Sequence, residues 1–348
     1  MGKVAVRVGI LFGGLLLVAG NAYAGDRQAS LDWLKIVAFA AHQTDYSGVF
    51  VYQYDNRVET SRITHMVEPD SEYERLESLD GPKREIIRHH GQVWCYINHK
   101  MVQVGSRQVR GRFPALLPEQ ISALSANYQI KEAGVERVAG YNTQVILFQP
   151  RDSLRYAHKI WAHTDTGLLL KAAVLGDKNQ VIEQYAFTQL QIGGIADRSW
   201  VKPDTLGANS APDNLAGGLL GAERGQGSQG GAHGEHEMPE ATQGGTPVNS
   251  GWVVDAIPPG YKKTMEVERP MRGKHAPVTQ IVYSDGLSAI SIFIEPADGD
   301  EDDVEGLSSR GAVNLYHKVL DKHLATVVGE VPPRTVMKVL NSIRYNGK

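Results

Sequence analysis

The sequence predicts an α+β fold: a large, curved antiparallel sheet with helices on its concave side, followed by a smaller α+β domain. Three observations lead there. Runs of β-branched and aromatic residues dominate both ordered parts of the chain. The links between neighbouring runs are far shorter than the dozen or so residues a parallel crossover needs. A glycine-rich stretch, Thr205 to Ser250, separates the two parts and holds eleven glycines in 46 residues, with no Phe, Trp, Tyr or Lys.

Composition narrows the classes. Hydrophobic residues make up 42% and charged residues 22% of 348, the balance of a soluble globular protein. Lys+Arg 36 against Asp+Glu 39 leaves a net charge of −3, which argues against a nucleic-acid partner because phosphate neutralisation needs a positive face. A single cysteine, Cys95, allows no internal disulfide and no cysteine-rich zinc site. At the N-terminus Lys3 and Arg7 precede an apolar run from Val8 to Ala19 and an Ala22-Tyr23-Ala24 end. That is the form of a secretory signal peptide, 1–24, too short for a span of roughly 20 apolar residues. Gly25 rather than Cys follows, so no lipid is expected there. The mature chain is expected in the periplasm.

The elements follow in order over 25–203. Ser30 caps a predicted helix in which Leu31, Leu34, Val37, Ala38 and Ala41 share a face, with Trp33 beside them, so this face should pack into the concavity. Val49–Tyr54 and Arg62–Val67 read as strands, and Tyr73–Leu79 and Arg84–Arg88 as a hairpin about Asp80-Gly81-Pro82. Gln92–Asn98 and Met101–Val104 form another. Pro118 opens a short helix through Leu124. Val145–Phe148, Tyr156–Ala162, Leu168–Leu175 and Val181–Ile192 complete the sheet.

Residues 204–250 read as a flexible linker, too poor in apolar surface to offset ordering entropy, with a reach of about 35–40 Å. Over 251–348, Trp252–Ile257 is a predicted strand, and Val278–Tyr283 and Leu287–Ile294 pair around Ser284-Asp285-Gly286. Arg310–Leu320 and Leu324–Glu330 are extended. Pro332-Pro333 starts a last helix with Val336, Val339, Leu340 and Ile343 on one face.

No nucleophile elbow, His-Glu-x-x-His, phosphate loop or dinucleotide fingerprint occurs, and no cofactor is expected. Cys95 lies in Val93-Trp94-Cys95-Tyr96-Ile97, which reads as core strand, so a structural thiol is favoured over a reactive one. His233-Gly234-Glu235-His236-Glu237 falls in the linker without groups to orient the imidazoles. Asp298–Asp303 lacks the turn glycine of a calcium loop and reads as an acidic surface loop. Lys83, Arg84 and Arg88, with His89 and His90, form one basic group, and Arg107, Arg110 and Arg112 another; such groups suit anionic headgroups.

Several strings together resemble the MucB/RseB family. They are Tyr73-Glu74-Arg75-Leu76-Glu77-Ser78-Leu79-Asp80-Gly81, Phe113-Pro114-Ala115-Leu116-Leu117-Pro118, Arg137-Val138-Ala139-Gly140-Tyr141 and Thr166-Gly167-Leu168-Leu169-Leu170-Lys171 in the first part. Tyr283-Ser284-Asp285-Gly286-Leu287 and Thr326-Val327-Val328-Gly329-Glu330-Val331-Pro332 continue it in the second. The long glycine-rich insert is a departure. The resemblance implies a periplasmic negative regulator of an extracytoplasmic sigma factor. It would bind the periplasmic segment of a membrane-anchored anti-sigma factor and shield it from proteolysis. It also implies that the large domain is an unclosed β-barrel similar to LolA/LolB lipoprotein carriers, and that lipopolysaccharide or a mislocalised lipoprotein displaces the partner.

Tyr283, Phe293, Arg310 and Tyr316 lie on or beside family-like strings and are candidate partner anchors, since binding energy concentrates in aromatic and arginine residues; a core position is the alternative for each, and for Phe293 it is the favoured one. Lys83, Arg84, Arg88 and Arg112 are candidate donors to lipid phosphates, beside a concave pocket expected to accept acyl chains. The alternative reading is a lipid or lipoprotein carrier using the same half-barrel, for which the second domain has no obvious use. A hydrolase is the third class, and it lacks the nucleophile machinery.

Overall fold

The computed structural model describes residues 32–89, 92–97, 100–104, 113–118, 120–195, 245–271, 276–297 and 305–347. The expected signal peptide, most of the linker, Arg107, Arg110, Arg112, and the stretches 233–237 and 298–303 lie outside them.

Helix α1 (32–43) leads into six strands: β1 (Tyr46–Tyr54), β2 (Arg57–Glu68), β3 (Ser71–Ser78), β4 (Arg84–His89), β5 (Gln92–Ile97) and β6 (Lys100–Val104). A 3-10 turn at Ile121–Ala123 runs into the one-turn helix α2 (Leu124–Asn127). Five more strands follow: β7 (Tyr128–Val138), β8 (Tyr141–Pro150), β9 (Ala157–His163), β10 (Leu169–Leu175) and β11 (Val181–Ile192). All eleven form one antiparallel sheet in the order β6-β5-β4-β3-β2-β1-β11-β10-β9-β8-β7. The unit's first and last strands therefore meet in mid-sheet, Tyr46 opposite Ile192 and Tyr54 opposite Glu183. Edges β6 and β7 do not pair with each other, so the sheet stays open.

Burial explains the helix. Leu34, Val37, Ala38 and Ala41 of α1 are buried against Tyr46, Phe50, Phe148 and Ile160 on the sheet, with Trp33 packed alongside. The helical spacing of these side chains supplies the lid that the apolar inner face requires. Phe113 joins Phe50, Tyr185 and Phe187 in an aromatic cluster, stacking on Tyr185 at 5.5 Å between ring centres. Gly48 makes room for it: a Cβ there would lie 2.5 Å from the Gln189 carbonyl and 2.8 Å from the Phe187 ring. On the opposite face Trp161 is buried beneath Lys159 and Lys171, whose ammonium groups sit 4.6 and 4.5 Å from its ring centre. Lysine stems cover apolar surface while their charges stay wet, which is how both faces of β10 tolerate alanines and leucines.

The second unit contains β12 (Thr246–Pro247), β13 (Trp252–Val254), β14 (Lys262–Arg269), β15 (Val278–Ser284), β16 (Ala289–Pro296), β17 (Glu305–Arg310), β18 (Val313–Leu320), β19 (His323–Gly329), α3 (Pro333–Leu340) and β20 (Ile343–Tyr345). Seven strands form a sheet in the order β12-β14-β15-β16-β19-β18-β17, and β13 pairs with β20. Val336, Val339 and Leu340 of α3 pack on Ile281, Ile290, Ile292 and Val327.

Several expectations are corrected. β12 already pairs with β14 inside the stretch read as linker. β7 and β14 carry no strand signal in the sequence, because most of their side chains face solvent and leave no alternation to read. Arg310–Leu320 is not one run; Gly311, with φ +55°, turns it into the β17–β18 hairpin. Ile343 leaves the α3 face and pairs opposite Val254. The helix closes before it, where the Asn341 amide donates to the Met337 carbonyl and the Ser342 amide to that of Val339.

Candidate functional site

Three contacts join the two units into one surface. The first is buried. Arg155, on the loop after β8, and Asp285, in the β15–β16 turn, have fully buried side chains paired Nη1 to Oδ2 at 2.8 Å. Asp285 also accepts the Tyr128 hydroxyl at 2.9 Å and, through Oδ1, the Leu287 and Ser288 amides at 3.0 Å each. Arg155 further donates to the Pro259 carbonyl at 2.5 Å and pairs with Asp152 at 3.1 Å, its guanidinium lying 5.6 and 5.1 Å from the Tyr128 and Tyr261 ring centres. Burial alone would lower the Arg155 pKa, but the adjacent Asp285 carboxylate holds it above its ordinary value. Burial and the same carboxylate push the Tyr128 hydroxyl upward.

The second contact uses the start of α3. Arg334 forms a two-pronged pair with Asp177 at 2.6 and 2.8 Å, and Thr335 donates to the Leu154 carbonyl at 2.9 Å. Asn314 bridges the Tyr156 hydroxyl at 3.0 Å and the Val331 carbonyl at 2.8 Å. The third contact seats the β17–β18 turn on β1 and β11. Glu183 accepts the Ala312 amide and the Tyr52 hydroxyl, both at 3.0 Å. Only glycine suits position 311, since a Cβ would lie 2.6 Å from a Glu183 oxygen. Burial raises the Glu183 pKa, and these hydrogen bonds only partly offset it.

Along β2–β4 the inner face turns polar. Tyr46 stacks on His65 at 4.8 Å between ring centres, His65 and His42 both bond Glu72 at 2.9 Å, and Arg88 pairs with Glu74 at 2.5 Å. Nε and Nη2 of Arg88 are buried without an acceptor, so this guanidinium retains donors for an oxyanion.

Of the residues singled out in the sequence, Arg112 lies outside the described ones, Lys83, Arg84 and Arg88 lie together on and just before β4, and the four candidate anchors are spread over β15, β16, β17 and β18. Phe293 lies in the small apolar cluster with Met271, Val278, Leu315 and Val328. Tyr316 is buried among Ile281, Ile290 and Val339, its hydroxyl donating to Glu305. Neither presents a free side chain for anchoring a partner, because β-strand alternation turns each toward a core. Tyr283 is half-buried at the edge of the latter cluster. Arg310 serves the junction: it donates to the Tyr54 hydroxyl, lies 4.8 Å from that ring's centre, and faces Glu59 at 3.6 Å. Lys83 is exposed in the β3–β4 turn, while Arg84 and Arg88 are half-buried on β4. The expected acyl pocket is occupied by the aromatic cluster. The hollow between Trp33, Leu34, Ile130, Glu132 and Ile146 has a volume of only about 20 Å³, far below the roughly 300–1,000 Å³ of small-molecule sites. Cys95 is buried in the β4–β5 core.

Arg155, Asp285, Glu183, Asp177 and Arg334 were not recognised as site residues. Asp285 and Asp177 carry a local signal as turn formers; the others carry none, since the partners that join them to the other unit lie more than a hundred residues away.

The model for the MucB/RseB N-terminal domain matches residues 29–205, and that for the MucB/RseB C-terminal domain matches 246–344. The chain belongs to the MucB/RseB family. Among curated members of this family it is 32% identical to the "Sigma factor AlgU regulatory protein MucB" of Pseudomonas aeruginosa, over 96% of each chain. It is 22% identical to the "Sigma-E factor regulatory protein RseB" of Haemophilus influenzae, over 95% of each. A solved MucA/MucB complex from Pseudomonas aeruginosa aligns with a TM-score of 0.67 and 28% identity, covering 92% of this chain and 100% of that one. A crystal structure of MucB gives a TM-score of 0.58 at 28% identity, covering 90% of this chain and 97% of that one.

Proposed function

We propose that this protein binds the periplasmic segment of a membrane-anchored anti-sigma factor, shields it from regulated proteolysis, and so restrains an envelope-stress sigma factor. The observation that carries this reading is the family match across both units, to a relative named as a regulator of AlgU and solved in complex with MucA. The contacts at Arg155, Arg334 and Glu183 bring both units within reach of one extended chain segment. The protein acts by binding rather than by catalysis, in the periplasm, with a mature chain starting at Gly25. No helix among the described residues is long and apolar enough to cross a membrane.

The four proposed anchors now divide. Tyr283 and Arg310 are the contacts to test on the surface, whereas Phe293 and Tyr316 act through the core. Tyr283→Ala should weaken partner binding at an unchanged melting temperature, and Phe293→Ala should melt early. The decisive experiment is calorimetric titration of the purified protein with a candidate anti-sigma periplasmic segment, alongside protease protection of that segment. Failure of every such segment to bind would remove the reading.

A lipid signal is the second part of the proposal, favoured by the unsatisfied donors of Arg88 on the inner face. Lys83, Arg84, Arg88 and Arg112 would take the phosphates of lipopolysaccharide or of a lipid headgroup, and acyl chains would have to displace the Phe113 cluster. A lipid releases the partner only if it binds the free form better, and the partner must then weaken lipid binding by the same factor. Titrating lipopolysaccharide with and without the anti-sigma segment measures that factor. Equal affinities would leave a shield without a sensor.

A further inference from the structure

The small sheet holds a second buried arginine, and it contrasts with Arg155. Arg155 is saturated by two carboxylates, a carbonyl and two aromatic rings. Arg269, at the end of β14, is 7% exposed and makes no hydrogen bond or ion pair among the described residues. Its Nε is buried without an acceptor. The neighbouring carboxylate in sequence, Glu268, pairs opposite Thr279 while Arg269 pairs opposite Val278, so strand alternation sends Glu268 to the other face. On the face of Arg269, Met271, Val278 and Phe293 are buried in one cluster, and Glu295, buried one strand beyond Val278, forms no ion pair with Arg269. Burial lowers the guanidinium pKa.

Gln280 shares this face. It lies opposite Val267, two residues before Arg269, and is 8% exposed with Oε1 lacking a partner. Two polar side chains, each more than nine-tenths buried, thus sit on adjacent strands without completing their hydrogen bonds. A buried water could satisfy Nε, but it would leave the positive charge uncompensated. A carboxylate does both, pairing side-on with Nε and one Nη of the guanidinium. A half-turn of the Gln280 amide then presents N–H to the same anion. One positive charge calls for one negative charge, which favours a carboxylate over a phosphate of nearly two.

We propose that Arg269, with Gln280 beside it, is a receptor for a single carboxylate group brought to the small sheet by a ligand. The carboxylate could be a free small acid or an acidic peptide side chain, and the test separates these sources.

Melting of the full chain is measured at constant ionic strength in chloride, acetate and inorganic phosphate. It is then repeated with acetyl-Ala-Glu-Ala-amide and its Gln counterpart. Acetate should raise the melting temperature by about 2 °C or more over chloride at saturation. The Glu peptide should do so at lower concentration than the Gln peptide if peptides are the source; a response to acetate alone assigns the site to free acids. Arg269→Met should abolish the response while melting no earlier than the parent, since it removes an unpaired buried charge. Arg269→Lys keeps the charge, loses the side-on geometry, and should respond weakly. Equal melting of the parent in chloride and acetate, a larger rise in phosphate, or an undiminished acetate response in Arg269→Met would each overturn the assignment. The chloride–acetate comparison needs no variant, so it stands even if Arg269→Met fails to fold.

Discussion

Single residues at the junction carry more than local packing. Asp285 closes the β15–β16 turn through two amides and at the same time neutralises Arg155 from the other unit. Removing either charge strands the other in a buried site, so Asp285→Asn or Arg155→Met should cost about 3–5 kcal/mol, read from urea unfolding. The double variant Arg155→Met/Asp285→Asn should recover part of that loss. Glu72 gives a different readout. Burial would raise its pKa, but hydrogen bonds and charge from His42 and His65 outweigh this and bring it down to about 2 from 4.5. A depressed carboxyl pKa stabilises the fold above the unfolded value and loses that contribution as pH falls from 4.5 toward 2. Since the Glu72 side chain is nearly half exposed, solvent screening keeps the effect small. Glu72→Gln should therefore flatten, rather than abolish, the acid limb of the stability curve between those values.

At the scale of elements, α1 and the sheet's centre constrain each other. α1 buries Leu34 and Val37 against inward-facing residues of strands from both wings of the sheet, so a truncation there opens a cavity with little means of collapse. Leu34→Ala should lower stability by about 2–5 kcal/mol in denaturant titration. In β1, Gly48 faces the Phe187 ring and the Gln189 carbonyl at distances that leave no space for a methyl group. Gly48→Ala should cost about 1–3 kcal/mol through overpacking and change the near-ultraviolet signal of the aromatic cluster. The edge strands tell the opposite story. β7 exposes most of its side chains and carries a bulge between Glu132 and Val135, a feature that discourages pairing with other chains.

For the whole molecule the junction turns two sheets into one mechanical body. Contacts from β15–β16, α3 and the β17–β18 turn reach the large sheet at three separate points. Calorimetry should accordingly show one transition, with calorimetric and van't Hoff enthalpies in agreement. Combining Asp285→Asn with Asp177→Ala weakens two of the three points and should split the melt into two. A single sharp transition in that variant would mean that the remaining contacts, Glu183 with Ala312 and Thr335 with Leu154 among them, suffice to couple the units.

The division between sequence and tertiary structure follows from the range of the interactions. Strands whose side chains alternate or run apolar, such as Val145–Phe148 and Val181–Ile192, were legible because their pattern is local and repeats every two residues. So was the α1 face, where Leu34, Val37, Ala38 and Ala41 recur at helical spacing, and so was the β15–β16 hairpin, marked by Asp285-Gly286. Polar edge strands β7 and β14 were not, because what makes them strands is the neighbour they pair with. Phe293 and Tyr316 were recognised as aromatics, but which surface each strand face meets depends on sheet packing. The curved antiparallel architecture and the two-part division thus belong to the sequence by itself. The union of Arg155 with Asp285, of Arg334 with Asp177 and of Glu183 with Ala312 was decided only in three dimensions, by pairing charges and donors that lie 129 to 157 residues apart.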